Sequence, residues 1–334
     1  MRYSLLDLAS VAEGQTPSAA LAQTADLAIH AEALGYHRFW LAEHHGMAGI
    51  ASAATSVVIG HVAARTKHIR VGAGGIMLPN HAPLIIAEQF GTLDALYPGR
   101  IDLGLGRAPG TDGATARAMR RAMDPDDFPN DVAELMAYLG DPTPQTRIHA
   151  FPGEGSHVPL FILGSSTYGA QVAAHFGLPF AFASHFAPFQ LEEAFHLYRS
   201  HFRPSETLAA PHAMMAIGLC AAETDDEAVY LRSSQVQAFA NLRLGRPGKL
   251  PGPTHDLSHI PAPMLAEVDR VLGCSAVGSP ATVQSRLKAL IARHQPDEVI
   301  LTGMTHSHAA RLDSFRIGAE AMQALGAIPF AQAA

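Results

Sequence analysis

Short apolar runs alternate along this chain with longer stretches in which apolar residues recur at helical spacing. Such alternation is typical of parallel strand–helix–strand units, because buried strands are continuously apolar and crossover helices are amphipathic. Thr16-Pro17 predicts one helix start and Gly177 one helix end. Eight runs are predicted to be strands: Tyr3–Leu8, Phe39–Ala42, Ile69–Gly72, Ile101–Leu105, Leu160–Leu163, Phe180–Phe182, Met214–Ala221 and Val299–Leu301.

Eight strands alternating with helices favour a closed α/β structure, the (β/α)8 TIM barrel. An open doubly wound sheet is the alternative, because periodicity does not show whether a sheet closes. Two segments interrupt the alternation of strands and helices: an extended loop after the fourth strand, Ala108–Phe151, and a Pro/Gly-rich insertion at Gly245–Pro263. Loops of this length in compact domains often act as lids. We see no linker, so residues 1–334 are predicted to form a single domain.

Composition narrows the classes of function. The formal net charge is −7, whereas a surface that binds nucleic acid needs clustered positive charge, so nucleic acid is not expected as a partner. The apolar run at Ala213–Ala222 is too short to span a membrane, and Met1–Ser10 lacks a signal-peptide layout. Cys220 and Cys274 are too few for a disulfide framework or a thiolate metal cage. We therefore expect a cytoplasmic protein without a membrane partner.

Enzymes with this barrel carry their reactive groups at the C-terminal ends of the strands, so the residues there are the candidates. Glu43, His44 and His45 follow the second strand and offer a general base, a proton relay or a partial metal site. A hydrogen-bonded histidine cluster is the alternative. No metal is predicted, because the pair His306 and His308 has no evident partners on other strands.

Glycines lie where the third predicted strand ends, at Gly72, Gly74 and Gly75. They allow the backbone to approach a flat ligand closely, or they simply terminate the strand.

Two further strand ends indicate an anion site. Arg107 follows the fourth strand, and Ser165 and Ser166 lead from the fifth strand into a helix. A guanidinium and the amides of a helix start both bind phosphate, so these groups would converge on one phosphate if the barrel closes. The alternatives are a salt bridge from Arg107 to Asp102 or Asp112, and simple helix capping by the serines.

Taken in order, these segments resemble the bacterial luciferase-like flavin monooxygenases. The resemblance extends from Tyr3 to about Leu325 and is stronger to the compact luciferase-family oxidoreductases than to the light-emitting subunits. It is carried by Phe39–His45, Val71–Pro79, Gly104–Arg107, and Gly164–Ser166 ahead of Gly177–Pro179.

The resemblance implies a barrel that binds FMN at its C-terminal face, often as a homodimer. It also implies that reduced FMN comes from a separate NAD(P)H:flavin reductase and reacts with O2 to give a peroxyflavin, which oxidises a small organic substrate. His44 is then expected to assist by proton transfer or by stabilising the peroxide, with Glu43 orienting the site. The Gly74–Gly75 peptide is expected to be cis beneath the flavin. The phosphate is expected near Arg107, Ala108, Pro109, Ser165, Ser166 and Gly169.

Three positions depart from luciferase. Gly106 stands where luciferase has a reactive cysteine, and Ser165 stands where it has a glutamate of the phosphate site. Ser184 replaces a tryptophan near the flavin and is followed by His185, which predicts a more polar substrate pocket. A long aldehyde substrate and light emission are therefore not expected.

These observations predict a two-component FMN-dependent monooxygenase. A hydride-transfer oxidoreductase that uses a deazaflavin is one alternative, since the wider fold family includes such enzymes. A flavin-binding barrel without turnover is another.

Overall fold

The computed structural model describes residues 1–108, 113–119 and 127–330. Its parallel strands confirm the predicted (β/α)8 barrel. The order β6-β5-β4-β3-β2-β1-β9-β7 is closed by pairing of β6 with β7, which excludes the open doubly wound sheet. The strands are β1 (Arg2–Asp7), β2 (Arg38–Leu41), β3 (Arg70–Met77), β4 (Ile101–Gly106), β5 (Leu160–Gly164), β6 (Phe180–Phe182), β7 (Ala213–Ala221), β8 (Ser275–Gly278) and β9 (Glu298–Thr302).

Helices surround the barrel, and their ends follow local sequence signals. Thr16 caps the first helix by accepting a hydrogen bond from Ala19 N, and Gly177 ends the sixth in the left-handed conformation. The helices are α1 (Pro17–Ala33), α2 (Thr55–Ala63), α3 (Pro83–Leu96), α4 (Gly113–Ala118), α5 (Phe128–Leu139), α6 (Thr167–Phe176), α7 (Leu191–His201), α8 (Asp225–Arg243), α9 (Ala262–Val271), α10 (Pro280–His294) and α11 (His308–Ala324). None of the described helices combines the length and apolar character that a bilayer-spanning segment requires.

Strand β8 is not among the predicted strands. It pairs only with the second half of β7, from Gly218 to Ala221, while the first half of β7 pairs with β9. Its short, alternately buried sequence gives almost no apolar signal. The eight predicted runs all fall on the strands that close the barrel.

The barrel interior is filled in layers. A charged layer lies at the N-terminal end, where Arg38 is held between Asp102 and Glu298. Above it lies an apolar layer that includes Trp40 and Phe161, whose rings meet edge to face at 5.0 Å. The interior is therefore a packed core, and enzymes with this fold bind their ligands at its C-terminal end.

The Pro/Gly-rich insertion is bound to the C-terminal face by backbone hydrogen bonds. Leu250 is buried, donates its N–H to Val11 O and accepts from Glu13 N. Lys249 Nζ donates to Gln15 O at 2.6 Å. The insertion thus forms a fixed wall over the connection from β1 to α1. Within the other interruption, residues 109–112 and 120–126 lie outside the described residues.

Candidate active site

Five adjacent strands bring the predicted site residues to one end of the barrel. Because β2 to β6 are parallel neighbours, the residues at their C-terminal ends share one edge. This edge carries Glu43 and His44 after β2, Gly74 and Gly75 in β3, Arg107 and Ala108 after β4, Ser165 and Ser166 after β5, and Ser184 and His185 after β6. Pro109 lies outside the described residues.

The Glu43 carboxylate is buried and surrounded by donors. Its Oε1 lies 2.6 Å from His45 Nε2 and 2.8 Å from His81 Nε2, and Asn80 Nδ2 donates to it at 3.3 Å. Oε2 accepts from Met77 N at 3.1 Å. Burial alone would raise the pKa of Glu43, but hydrogen bonds from His81, His45 and Met77 N and the charge of His81 outweigh it and lower the pKa. Glu43 is therefore an anion that joins the end of β2 to the turn after β3.

The Nδ1 ring nitrogens of His44 and His185 are both buried, and neither has a hydrogen-bond partner among the described residues. Burial lowers the pKa of His44, and burial, with a smaller electrostatic contribution from the neighbouring His44, lowers the pKa of His185 to about 3. Both rings are consequently neutral near pH 7. A buried polar atom without a partner is uncommon in a folded protein, and a ligand is one way to satisfy it.

Ser184, predicted to line the substrate pocket with His185, is fully buried. Its hydroxyl donates to Ala216 O at 2.6 Å, which ties β6 to β7. The Ser184 side chain is therefore not accessible to a substrate in this structure, because it is fully covered and its hydroxyl is already hydrogen-bonded. Of the pair, His185 is the partly exposed residue.

The glycines of β3 form the floor of the site. The Gly74–Gly75 peptide bond is cis, as expected. A Cβ at Gly74 would lie 2.8 Å from Leu6 Cδ1 and 3.0 Å from Trp40 Cβ, and one at Gly75 would lie 2.7 Å from Gly104 O. Any side chain here would collide with the apolar layer or with β4, so glycine is required by close approach rather than by strand termination.

Arg107 is exposed, and its guanidinium carbon lies 4.1 Å from the centre of the Tyr168 ring on α6. The alternative salt bridge to Asp102 is wrong, because that carboxylate is fully buried and binds Arg38 and Arg70. Asp112 lies outside the described residues. The Tyr168 ring thus positions the Arg107 side chain, and the guanidinium group is exposed to solvent beside the start of α6.

The N-terminus of α6 is the second part of the predicted anion site and lies beside Arg107. Ser166 is the N-cap residue, and its side chain makes no capping hydrogen bond. Gly169 is the third helical residue, where backbone N–H groups have no partner within the helix. A Cβ at Gly169 would lie 3.3 Å from Gly164 Cα, so the glycine also lets α6 pack closely on β5. Ser165 is exposed at the same helix start.

Sequence reasoning missed three residues of this end. Asn80 and His81, which contact Glu43, lie on a 3-10 turn after β3, and Tyr168 supports Arg107. The spacing of 38 residues between His81 and Glu43 carries no local signal. The predicted third strand ends at Gly72, nine residues before His81, so its position relative to that strand did not mark it either.

The fold and these groups define a class: a (β/α)8-barrel protein with a glycine floor, two neutral imidazoles and an exposed arginine beside a helix start at the C-terminal end. The chain belongs to the luciferase-like monooxygenase family, whose model matches residues 1–294. It is 50% identical over 326 residues to a luciferase-like monooxygenase of Escherichia coli K12, covering 97% of each chain. It is 38% identical over 239 residues to the N-acetyl-S-alkylcysteine monooxygenase of Bacillus subtilis, covering 68% of this chain and 70% of that one.

Solved structures show the same fold. Apo-MsnO8 is 33% identical, with a TM-score of 0.86 over 96% of this chain and 98% of that one. The oxygenating constituent of 3,6-diketocamphane monooxygenase from Pseudomonas putida, in complex with FMN, is 15% identical with a TM-score of 0.68, covering 96% and 97%. An F420-dependent secondary alcohol dehydrogenase is 16% identical with a TM-score of 0.63, covering 94% and 97%.

Proposed function

We propose that this protein is an FMN-dependent monooxygenase that oxidises a small organic substrate with O2. It would receive reduced FMN from a separate NAD(P)H:flavin reductase, and it would act in the cytoplasm as a homodimer. The observation that carries the proposal is the placement of the glycine floor, the two neutral imidazoles and the anion site on one edge of the barrel. Membership of a monooxygenase family supports the reaction class.

The residues present fit FMN. Arg107, Ala108, Ser165, Ser166 and the N–H of Gly169 would hold its phosphate, since an exposed guanidinium and a helix start combine there. A contribution from Pro109 remains a prediction. Side chains at Gly74 and Gly75 would collide with Leu6, Trp40 or Gly104 O, so this stretch of β3 is bare backbone, which suits close approach by a flat ring system. When bound, reduced FMN supplies the electrons that activate O2.

The imidazoles supply the proton chemistry. Nδ1 of His44 is neutral and unpartnered among the described residues, so it can accept a proton from the reacting groups or donate a hydrogen bond to them, according to its tautomer. Glu43 acts as a positioning residue, because its buried hydrogen bonds fix the backbone that carries His44. The packed layer of Trp40 and Phe161 excludes water from below.

A deazaflavin-dependent hydride transferase is the second candidate, because one structural neighbour is F420-dependent and that cofactor also carries a phosphate. The family relatives named as monooxygenases, at 50% and 38% identity, favour FMN and O2. The B. subtilis relative also suggests the first substrate to try, an N-acetylated S-alkylcysteine.

Anaerobic fluorescence titrations with FMN, reduced FMN, riboflavin and F420 test the cofactor. FMN is expected to bind more tightly than riboflavin, and Arg107→Ala should weaken FMN binding by about tenfold to a hundredfold, the effect of charge-assisted hydrogen bonds, while leaving riboflavin binding unchanged. Arg199→Ala is a matched control, because Arg199 also lies over a ring, that of Phe195, but on the outer surface of α7. Equal affinities for FMN and riboflavin would contradict the phosphate assignment.

The reaction is tested with ¹⁸O2, a flavin reductase and N-acetyl-S-methylcysteine. One ¹⁸O atom in the product is expected, and His44→Ala should greatly reduce it without abolishing FMN binding. Binding of F420 in preference to FMN, with substrate oxidation that needs no O2, would instead establish the hydride transferase.

A further inference from the structure

Three metal-binding side chains converge beside the site described above. Nε2 of His45 and Nε2 of His81 point at the same oxygen of Glu43, at 2.6 and 2.8 Å. The three potential ligand atoms all lie within 4.8 Å of one another. Among the described residues, this is the one group of three His, Cys, Asp or Glu side chains that meets this condition.

Two imidazoles and one carboxylate form a common donor set for Zn²⁺ and for other divalent first-row ions. A tetrahedral zinc site with typical bond lengths would separate the carboxylate oxygen from each imidazole nitrogen by about 3.3 Å. The present separations, 2.6 and 2.8 Å, are those of hydrogen bonds, so an ion would need the His45 and His81 rings to withdraw by about 0.7 and about 0.5 Å. Both rings are on surface segments, with 20% and 26% of the His45 and His81 side chains exposed, which allows this movement.

The surroundings prepare the carboxylate as a ligand. Oε2 of Glu43 accepts from Met77 N, and Oε1, which also accepts from Asn80 Nδ2 at 3.3 Å, faces the two rings. Hydrogen bonds of this kind orient metal ligands and strengthen their affinity. The carboxylate itself is 1% exposed, and a buried anion is stabilised by a bound cation. The exposed edges of the rings provide an entry path and leave a fourth coordination position to solvent.

We propose that Glu43, His45 and His81 bind one divalent transition-metal ion, with Zn²⁺ as the ion of best fit. The ion would join the end of β2 to the turn after β3 and so stiffen the backbone on both sides of His44. This proposal does not depend on the choice of flavin, because the ligands belong to the apoprotein.

Metal titration of the full-length apoprotein, freed of metal with a chelator, tests the proposal. Co²⁺ should bind with one equivalent and give visible absorption bands, and Zn²⁺ should displace it. Saturating Zn²⁺ should raise the midpoint of thermal unfolding, since a ligand that binds only the folded state stabilises it. His81→Gln is the decisive variant, because glutamine can still donate a hydrogen bond to Glu43 but cannot supply an imidazole.

His81→Gln should lower the Co²⁺ affinity at least a hundredfold and abolish the thermal shift. His149→Ala serves as the control, because His149 contacts a single carboxylate, that of Glu154, at 2.6 Å on the exposed surface. It should leave both measurements unchanged. Absence of one-equivalent binding to the unmodified protein, or equal binding by folded His81→Gln, would overturn the proposal and leave the cluster as a hydrogen-bonded assembly.

Discussion

The two ends of the barrel differ in how completely their buried polar groups are hydrogen-bonded. At the N-terminal end, Arg38 donates to Asp102 at 2.6 Å and to Glu298 at 3.0 Å, Arg70 binds Asp102 at 2.6 Å, and His212 contacts Glu298 at 3.2 Å. At the C-terminal end, two imidazoles keep a buried nitrogen without a partner among the described residues. Both ends are polar, but only at the N-terminal end do the charged side chains named here all find partners within the protein.

This difference separates a structural network from a site. Burial would raise the pKa of Glu298, but Arg38 and His212 outweigh it and hold that pKa well below its usual range. Such a network satisfies its own charges, so it needs nothing further. A buried nitrogen without a hydrogen-bond partner lowers the stability of the folded protein. Such a penalty is typical of binding sites, where a ligand supplies the missing hydrogen bond.

The largest expected effect comes from opening the N-terminal network. Arg38→Met leaves two buried carboxylates without their main partner, so the free energy of unfolding should fall by about 3–5 kcal/mol in urea titrations. Arg316→Met is the control, because Arg316 contacts Glu223, Asp313 and Glu320 on the surface and should lose about 1 kcal/mol or less. Equal losses in the two variants would contradict the comparison.

Filling the glycine floor should have an intermediate effect. A methyl group at Gly74 would meet Leu6 and Trp40 at 2.8–3.0 Å, so Gly74→Ala should lower the free energy of unfolding by about 1–3 kcal/mol through overpacking. It should also weaken FMN binding, measured by fluorescence, because the floor is displaced. Gly252→Ala, where an added Cβ would meet nothing within 4 Å, should change neither measurement. Unaltered stability of Gly74→Ala would show that the floor is loosely packed.

How much of the structure could be predicted from the sequence depends on whether the interactions are local or join residues far apart in the chain. The strands that close the barrel were predictable because each is a continuous apolar run, and β8 was not, because it is short and only half buried. The convergence of Glu43, His44 and Arg107 followed from a general property of parallel strands. The pairing of Arg38 with Asp102 and Glu298, which lie 64 and 260 residues away, left no local pattern. The hydrogen bond from His81 to Glu43 was hidden for the same reason.

The smallest expected effect is a pH dependence to which each end contributes. Burial lowers the pKa of His185 to about 3 at the C-terminal end and that of His37 to about 4 at the N-terminal end. As the pH falls below about 6.5, the unfolded chain binds a proton at each histidine and the folded chain does not, so stability is present at neutral pH and declines on acidification.

Urea titrations between pH 6.5 and 5, the range in which the histidines of the unfolded chain take up protons, measure this decline. Each histidine should contribute a slope approaching about 1.4 kcal/mol per pH unit at the acid end of the range. His185→Gln and His37→Gln should each remove one such contribution. If the pH slope of stability decreases in His37→Gln but not in His185→Gln, then His185 takes up a proton in the folded protein as it does in the unfolded chain. The contrast between the two ends of the barrel would then be wrong for His185.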